Sequence, residues 1–335
     1  MKYNFIVIGT GSVFEKYWLP LQKKENINIL QAYSIQKERD LNRIEYKKIN
    51  QAEDVSKDII KKGYNNFIIA ILTPSNNRRL YINSLLKNLK GKNYKIFIEK
   101  PYFRNLEEVS YYKKLIKTFS KHFYFSHKYC NSRANILFPN LPRNQIPTEI
   151  RGFLIEGSDY FNKIINSNSN TYLEDGPELD LGFHLVDIIT KAYYNKNFQD
   201  SIKINLAEDL LLRNKKFLKN FGFYSELKYK YKNSEIKISL QAGKADTENK
   251  RGIIFKYKNF AIYQEYTYGS NMDPVFKVTK GKRSILSTHS KDYNYYENEI
   301  TNIDNQTLEE QERLINVNRI CIEMKNIRNR NRYTN

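Results

Sequence analysis

Of the four histidines among 335 residues, His184 has the most pointed setting. It stands in DGPELDLGFHLVDIIT, residues 175–190, on a pattern otherwise rich in leucine and isoleucine. The stretch reads as an amphipathic helix over 175–194. Asp175 is a candidate N-cap, Pro177 falls in the first turn, and Glu178 stands three after Asp175 as in a capping box. On that frame Asp180, His184 and Asp187 lie at i, i+4 and i+7 and share one face. A histidine beside a carboxylate can act as a general acid or base, its ring oriented and its basicity raised by Asp180. A structural histidine flanked by two capping or solvated acids fits the same spacing. Gly182, inside the helix, costs about 1 kcal/mol relative to alanine, which implies that something approaches the backbone closely there.

A second reactive group is Lys100. The stretch IFIEKP puts Glu99 and Lys100 at the carboxyl end of an apolar strand, with Pro101 fixing the turn. In open α/β sheets that edge is where ligands bind. A lysine there can donate a hydrogen bond to a hydroxyl or carbonyl and stabilise a developing alkoxide. A surface lysine beside a salt-bridging Glu99 is the plain alternative.

The third feature is a glycine turn. Gly9 and Gly11 follow YNFIVI directly and open a helix pattern. The first glycine permits the tight turn. The second, with Ser12, lets backbone N–H groups approach a pyrophosphate at the helix N-terminus. The third small residue of the dinucleotide fingerprint is missing, because position 14 is Phe. Phe14 is expected to push the helix off the strand or to turn its ring elsewhere. The second strand runs out through YSIQKER without an acid at its end. Ser34, Lys37 and Arg39 stand there instead, a hydroxyl and two cations suited to a 2′-phosphate, so NADP is favoured over NAD. An ordinary polar loop is the alternative for Lys37 and Arg39.

The elements that would position these groups alternate regularly up to residue 125. YNFIVI reads as a strand buried on both faces, and NINILQAYSI, NNFIIAILTP, YKIFIEKP and HFYFSHKY read as further strands. Helix patterns lie between them, two of them stopped by Gly63 and by the glycine of LKGK. The pattern predicts a doubly wound parallel sheet. Beyond it, TEIRGFLIEG reads as a strand. GFYSELKYKYKNSEIKISLQAG and RGIIFKYKNFAIYQEYTYG read as hairpins of an antiparallel sheet with one wet face. TLEEQERLINVNRICIEMKNI closes the chain as a helix. The expected fold class is α/β: an N-terminal Rossmann domain over 1–122, then an α+β domain over 123–335 with an open, mostly antiparallel sheet and a C-terminal helix.

Composition bounds the function. Hydrophobic residues make up 40%, enough for two cores. No apolar run reaches the roughly 18 residues of a membrane span, and the start lacks the features of a signal peptide. The two cysteines, Cys130 and Cys321, give neither a disulfide framework nor a metal spacing. A cytoplasmic protein without metal is expected. The formal charge of +20 is spread along the chain, which argues against nucleic acid as partner. It favours anionic small molecules by steering. The basic tail KNIRNRNRYTN reads as a solvated, frayed end.

Taken in order, VIGTGSVFEKYWLP, AILTPSNNRRLYINSLLKN, FIEKP and DGPELDLGFHLVDII resemble the Gfo/Idh/MocA family of NAD(P)-dependent oxidoreductases. The resemblance implies that Lys100, Asp180 and His184 form the catalytic group. It implies that Gly9, Gly11 and Ser12 receive the pyrophosphate, that Thr73 and Pro74 shape the strand end beside the cofactor, and that Glu99 borders the nicotinamide pocket. It also implies an open sheet that mediates dimers or tetramers. Three positions depart from the family pattern: Phe14, the missing second-strand acid, and Arg78, where the family has a histidine. The expected activity is hydride transfer between a nicotinamide and a hydroxyl-bearing carbon of a sugar or sugar derivative, nucleotide-linked ones included. An NADPH-dependent imine reductase and a non-catalytic, cofactor-binding regulator or scaffold are the alternatives.

Overall fold

The computed structural model describes residues 2–35, 44–131, 141–142, 144–157, 171–194, 198–210, 222–246, 250–268, 274–280, 283–289 and 295–334. Two compact units emerge: Met1–Lys128 with Asn294–Ile315, and Tyr129–Tyr293 with Asn316–Asn335.

The first unit holds β1 (Tyr3–Ile8), β2 (Ile27–Ser34), β3 (Glu45–Lys48), β4 (Phe67–Ile71), β5 (Tyr94–Ile98) and β6 (Phe123–Phe125). They form one sheet in the order β3-β2-β1-β4-β5-β6, with every pairing parallel. The expected Rossmann sheet is therefore present. Its order reverses between β1 and β4, where the carboxyl ends of neighbouring strands diverge and leave a crevice. Gly9 follows β1 there and Thr73 follows β4. The helix Ala52–Lys61 ends ahead of Gly63, whose φ of 67° marks the expected glycine stop.

The boundary expected near residue 122 falls instead after Lys128. β6 pairs with β5 and so belongs to the first sheet. Its other edge is closed by side chains from the C-terminal region. Gln306 accepts from the Phe125 N–H at 2.8 Å and donates to the Phe125 carbonyl at 2.9 Å, as a neighbouring strand would. Gln311 donates to the carbonyls of Ser120 and Phe123.

The second unit is built on β7 (Glu149–Gly157), β8 (Ile202–Asp209), β9 (Gly222–Tyr231), β10 (Ser234–Asp246), β11 (Lys250–Lys256), β12 (Ala261–Tyr268), β13 (Pro274–Lys280) and β14 (Arg283–His289). Their order is β14-β13-β12-β11-β7-β10-β9-β8. Only the β7–β10 pairing is parallel, so the mostly antiparallel open sheet is as expected, with both hairpins in place. The helix Phe183–Ala192 lies on one face. A side chain at Gly152 would meet Leu185 and Leu240 at 3.2 Å, which is why β7 carries glycine where the helix crosses it.

The basic tail corrects the sequence reading. It is not a frayed end but part of the helix Leu308–Thr334. Arg328 is fully buried, its fork on Glu178 and its remaining nitrogen on Asp209 at 2.8 Å. Arg332 also holds Asp209. Burial works to raise the Asp209 carboxyl, but hydrogen bonds from Arg332 and Arg328 outweigh it and hold it below the ordinary value. In the first unit Asp58 is held low in the same way by Lys47 and Tyr33, against burial. A depressed folded-state pKa gives stability that is present above the unfolded value, about 3.9 for aspartate, and is lost as pH falls through the folded value. The thermal midpoint is therefore expected to be level from neutrality to about pH 5 and to fall below about pH 4. Asp209→Asn should lower the neutral plateau and flatten the acid decline, as read by calorimetry across pH.

Candidate active site

The crevice of the first unit is shaped by backbone. Gly9 has φ 100°, and a Cβ there would lie 3.0 Å from the Thr73 backbone nitrogen. Only glycine meets both demands. Above Gly11, in contrast, a Cβ would meet nothing within 4 Å. The Glu15 N–H closes the first helical bond on the Gly11 carbonyl at 3.1 Å. The N–H groups of residues 12–14 are then left without an acceptor inside the helix, where they favour an anion.

Phe14 neither plugs the turn nor lies over it. Its ring is fully buried in a cluster with Phe5, Val7 and Trp18. The backbone is π-helical over Phe14–Trp18, so the missing small residue falls where the helix widens. The residues present suit a dinucleotide. Space is open over Gly11, N–H groups face outward, and the Thr10 and Thr73 hydroxyls are buried without a hydrogen-bond partner among the described residues. Ser34 is buried at the end of β2, and its carbonyl accepts from the Ile49 N–H at 2.9 Å. Lys37 and Arg39 lie outside the described residues.

Arg78, where the sequence departs from the family histidine, ties the ends of β4 and β5 together. Its Nε donates to the Thr73 carbonyl at 2.8 Å, and its Nη1 donates to the carbonyls of Glu99 and Pro101. These last two flank Lys100, which is half-buried. The Glu99 side chain accepts from the Tyr296 hydroxyl at 2.8 Å. Burial pushes the Tyr296 phenol well above its ordinary value, and the charge and hydrogen bond of Glu99 add to this. Tyr296 is thus a fixed donor, and it anchors the carboxylate that precedes Lys100.

In the second unit the segment around His184 differs from the expected single helix. A first helix, Thr171–Pro177, breaks at Gly176, where φ is 80°. A π-helical turn, Glu178–Gly182, follows and runs into Phe183–Ala192. The expected capping box is absent. Asp175 lies before the break, and the Glu178 carboxylate is taken by Arg328. A Cβ on Gly176 would meet Glu178 Oε2 at 3.0 Å, so that position is glycine for space as well as for φ. The close approach expected at Gly182 is present. A Cβ there would lie 2.7 and 2.9 Å from two atoms of the buried Phe223 ring.

His184 is buried with its ring 4.2 Å from that of Tyr129. Asp187, one turn on, is fully buried, and Asp180 is half-buried. Gly182→Ala is expected to destabilise the protein by about 1–3 kcal/mol through overpacking against Phe223. Phe223→Leu should recover part of the loss, as a double-mutant cycle in urea would read.

The structure thus ties Gly9, Thr73, Glu99 and the backbone beside Lys100 into one set of strand ends in the first unit. It sets Asp180 and His184 on one helical segment of the second. Sequence reading missed Arg328, Asp209 and Tyr296 as supports of these segments. The signal for Arg328 was its place in a basic run, where solvation was the simpler reading.

The sequence profile described as the oxidoreductase family with an NAD-binding Rossmann fold, Gfo/Idh/MocA, matches residues 3–127. Residues 3–127 are thus similar to the NAD-binding Rossmann domain of the Gfo/Idh/MocA family. No curated protein sequence matches it. Among solved structures it is similar to KijD10, a 3-ketoreductase from Actinomadura kijaniata in complex with NADP and TDP-benzene, at TM-score 0.68 and 10% identity, with 98% of each chain covered. It is also similar to the UDP-N-acetylglucosamine 3-dehydrogenase GnnA from Acidithiobacillus ferrooxidans, at TM-score 0.66 and 10% identity, with 98% of each chain covered. A biliverdin reductase from Synechocystis sp. PCC 6803 aligns at TM-score 0.65 and 11% identity, covering 96% of this chain and 98% of that one. At these identities the likeness concerns the fold. Among the described residues no helix is long and apolar enough to cross a membrane.

Proposed function

We propose that this protein is an NAD(P)-dependent oxidoreductase of the Gfo/Idh/MocA family that interconverts a hydroxyl and a carbonyl on the sugar of a nucleotide-linked substrate. The observation that carries the reading is the lysine–aspartate–histidine set, each member on backbone held by specific contacts. Arg78 grips the carbonyls either side of Lys100, while Asp180 lies within, and His184 just after, a turn fixed by Glu178 and Gly182. His184 takes the hydroxyl proton in oxidation and returns it in reduction. Asp180 orients the imidazole. Lys100 donates to the reacting oxygen and favours its charged form. Gly9, Gly11 and Ser12 receive the pyrophosphate, with Thr73 and Pro74 beside them and Glu99 at the border of the nicotinamide pocket. The bound nicotinamide supplies or accepts the hydride.

Ser34, with Lys37 and Arg39, favours NADP over NAD. The substrate class draws support from KijD10 and GnnA, whose names give a TDP compound and a UDP-sugar. The net charge of +20 adds to it, since it steers anions inward. The open sheet of the second unit is the surface for a homodimer or homotetramer. Titration with NADPH and NADH, followed by nicotinamide fluorescence, tests the cofactor. Both should bind, NADPH more tightly, and binding of neither at millimolar concentration would overturn the reading. A panel of nucleotide-linked ketosugars and their free sugars then tests the substrate. Equal turnover of both sets would remove the nucleotide from it.

A further inference from the structure

The π-helical turn Glu178–Gly182 needs an explanation that the chemistry of His184 does not supply. Such turns are rare, occur singly within α-helices, and frequently accompany functional sites. One residue of slack in a helix rotates everything downstream by about 100°. A turn of this kind therefore sets how Asp180 faces relative to His184, and it stays in register only if held at both ends.

Both ends are held. At the far end Gly182 packs on Phe223. At the near end Glu178 and Arg328 are each fully buried and joined through both arms of the guanidinium, Nη2 to Oε2 at 3.0 Å and Nε to Oε1. Asp209 takes the third nitrogen, and Lys325, one turn earlier, caps the Glu174 carbonyl at the end of the preceding helix. The C-terminal helix thus grips the chain on both sides of the Gly176 break. Burying two charges is expensive, and an apolar pair of similar shape would serve stability as well or better. A planar, bidentate fork gives directional registry that an apolar contact lacks.

We propose that Arg328, acting through Glu178, is a positioning residue for His184: it fixes the π-turn register that sets Asp180 against the imidazole. This rests on the role assigned to His184 above. The expected phenotype is that of a misplaced catalytic group rather than of a lost fold.

The test uses the full-length chain and two variants. Arg328→Lys keeps the charge and loses the fork. Glu178→Gln keeps the shape and loses the ion pair, and it serves should the lysine variant fail to fold. The chain has only four histidines, so their imidazole NMR signals can be followed through pH, with His184→Gln assigning one. The proposal expects the His184 midpoint to move while those of His122, His127 and His289 stay. It also expects kcat to fall by about 10²-fold with NADPH affinity unchanged. A folded variant whose His184 titrates as in the parent protein overturns it, as does a kcat loss that only tracks the folded fraction. The NMR arm needs no substrate. A moved His184 midpoint in a protein whose parent shows no turnover would sink the proposed function and leave the positioning role standing.

Discussion

His184→Gln is expected to cut turnover by about 10²–10⁴-fold while NADPH binds as before. Glutamine preserves bulk beside Tyr129 and cannot move a proton near neutrality. Lys100→Ala should cost a similar factor, for a different reason. In the proposed mechanism the lysine lowers the energy of charge on the reacting oxygen, an interaction that strengthens as the reaction proceeds and so appears in kcat. The pH profiles separate the two. As a base in oxidation His184 must be neutral, so the rate rises with pH through its titration. In reduction it must carry the proton, and the rate falls over the same range. His184→Gln should erase that limb in both directions, whereas Lys100→Ala should keep it on a lowered curve. Unchanged turnover in either variant would remove that residue from the proposed group. Asp180→Asn should fall between them, since it leaves the imidazole present but less firmly oriented.

The strand end that carries Lys100 and the helical segment that carries Asp180 and His184 were legible in the sequence because their signals are local. A lysine after an apolar strand and a carboxylate four before a histidine are spacings within one element. The parallel strands were legible too: FIVI of β1 and FIIAI of β4 are apolar throughout because they are covered on both faces. β3, EYKK, was not, since it lies at the sheet edge, largely exposed, and owes its conformation to β2. The break before Pro177 was missed because a capping box and a φ of 80° at Gly176 compete for the same residues. The tertiary contact won, with Glu178 paired to a residue 150 positions away. The tail was misread for the same reason. A run of arginines is solvated unless carboxylates are brought to it, and Asp209 and Glu178 come from segments that composition does not connect to it. Gly182 succeeded because an isolated helical glycine carries a cost that packing must offset, whatever the partner.

Arg78 makes the sharpest case of a departure that the sequence displays and only the structure explains. Arg78→Ala is expected to cost roughly 3 kcal/mol or more, because one buried guanidinium serves three carbonyls and its removal strands them together. Arg78→Lys should recover little. A point charge on a flexible stem cannot span Thr73, Glu99 and Pro101 at once. Arg78→His restores the family residue but offers two ring nitrogens for three acceptors, so a partial stability loss is expected. The informative measurement is whether stability and rate part company. If Arg78 only holds the strand ends together, kcat per folded molecule stays at the parent value. If it also fixes the backbone from which Lys100 projects, kcat falls in Arg78→His. That fall should then vanish in a Lys100→Ala background, while the loss in thermal midpoint persists. Rates that multiply across the two sites would show that they act independently, and the grip on the carbonyls of Glu99 and Pro101 would then be a matter of folding alone.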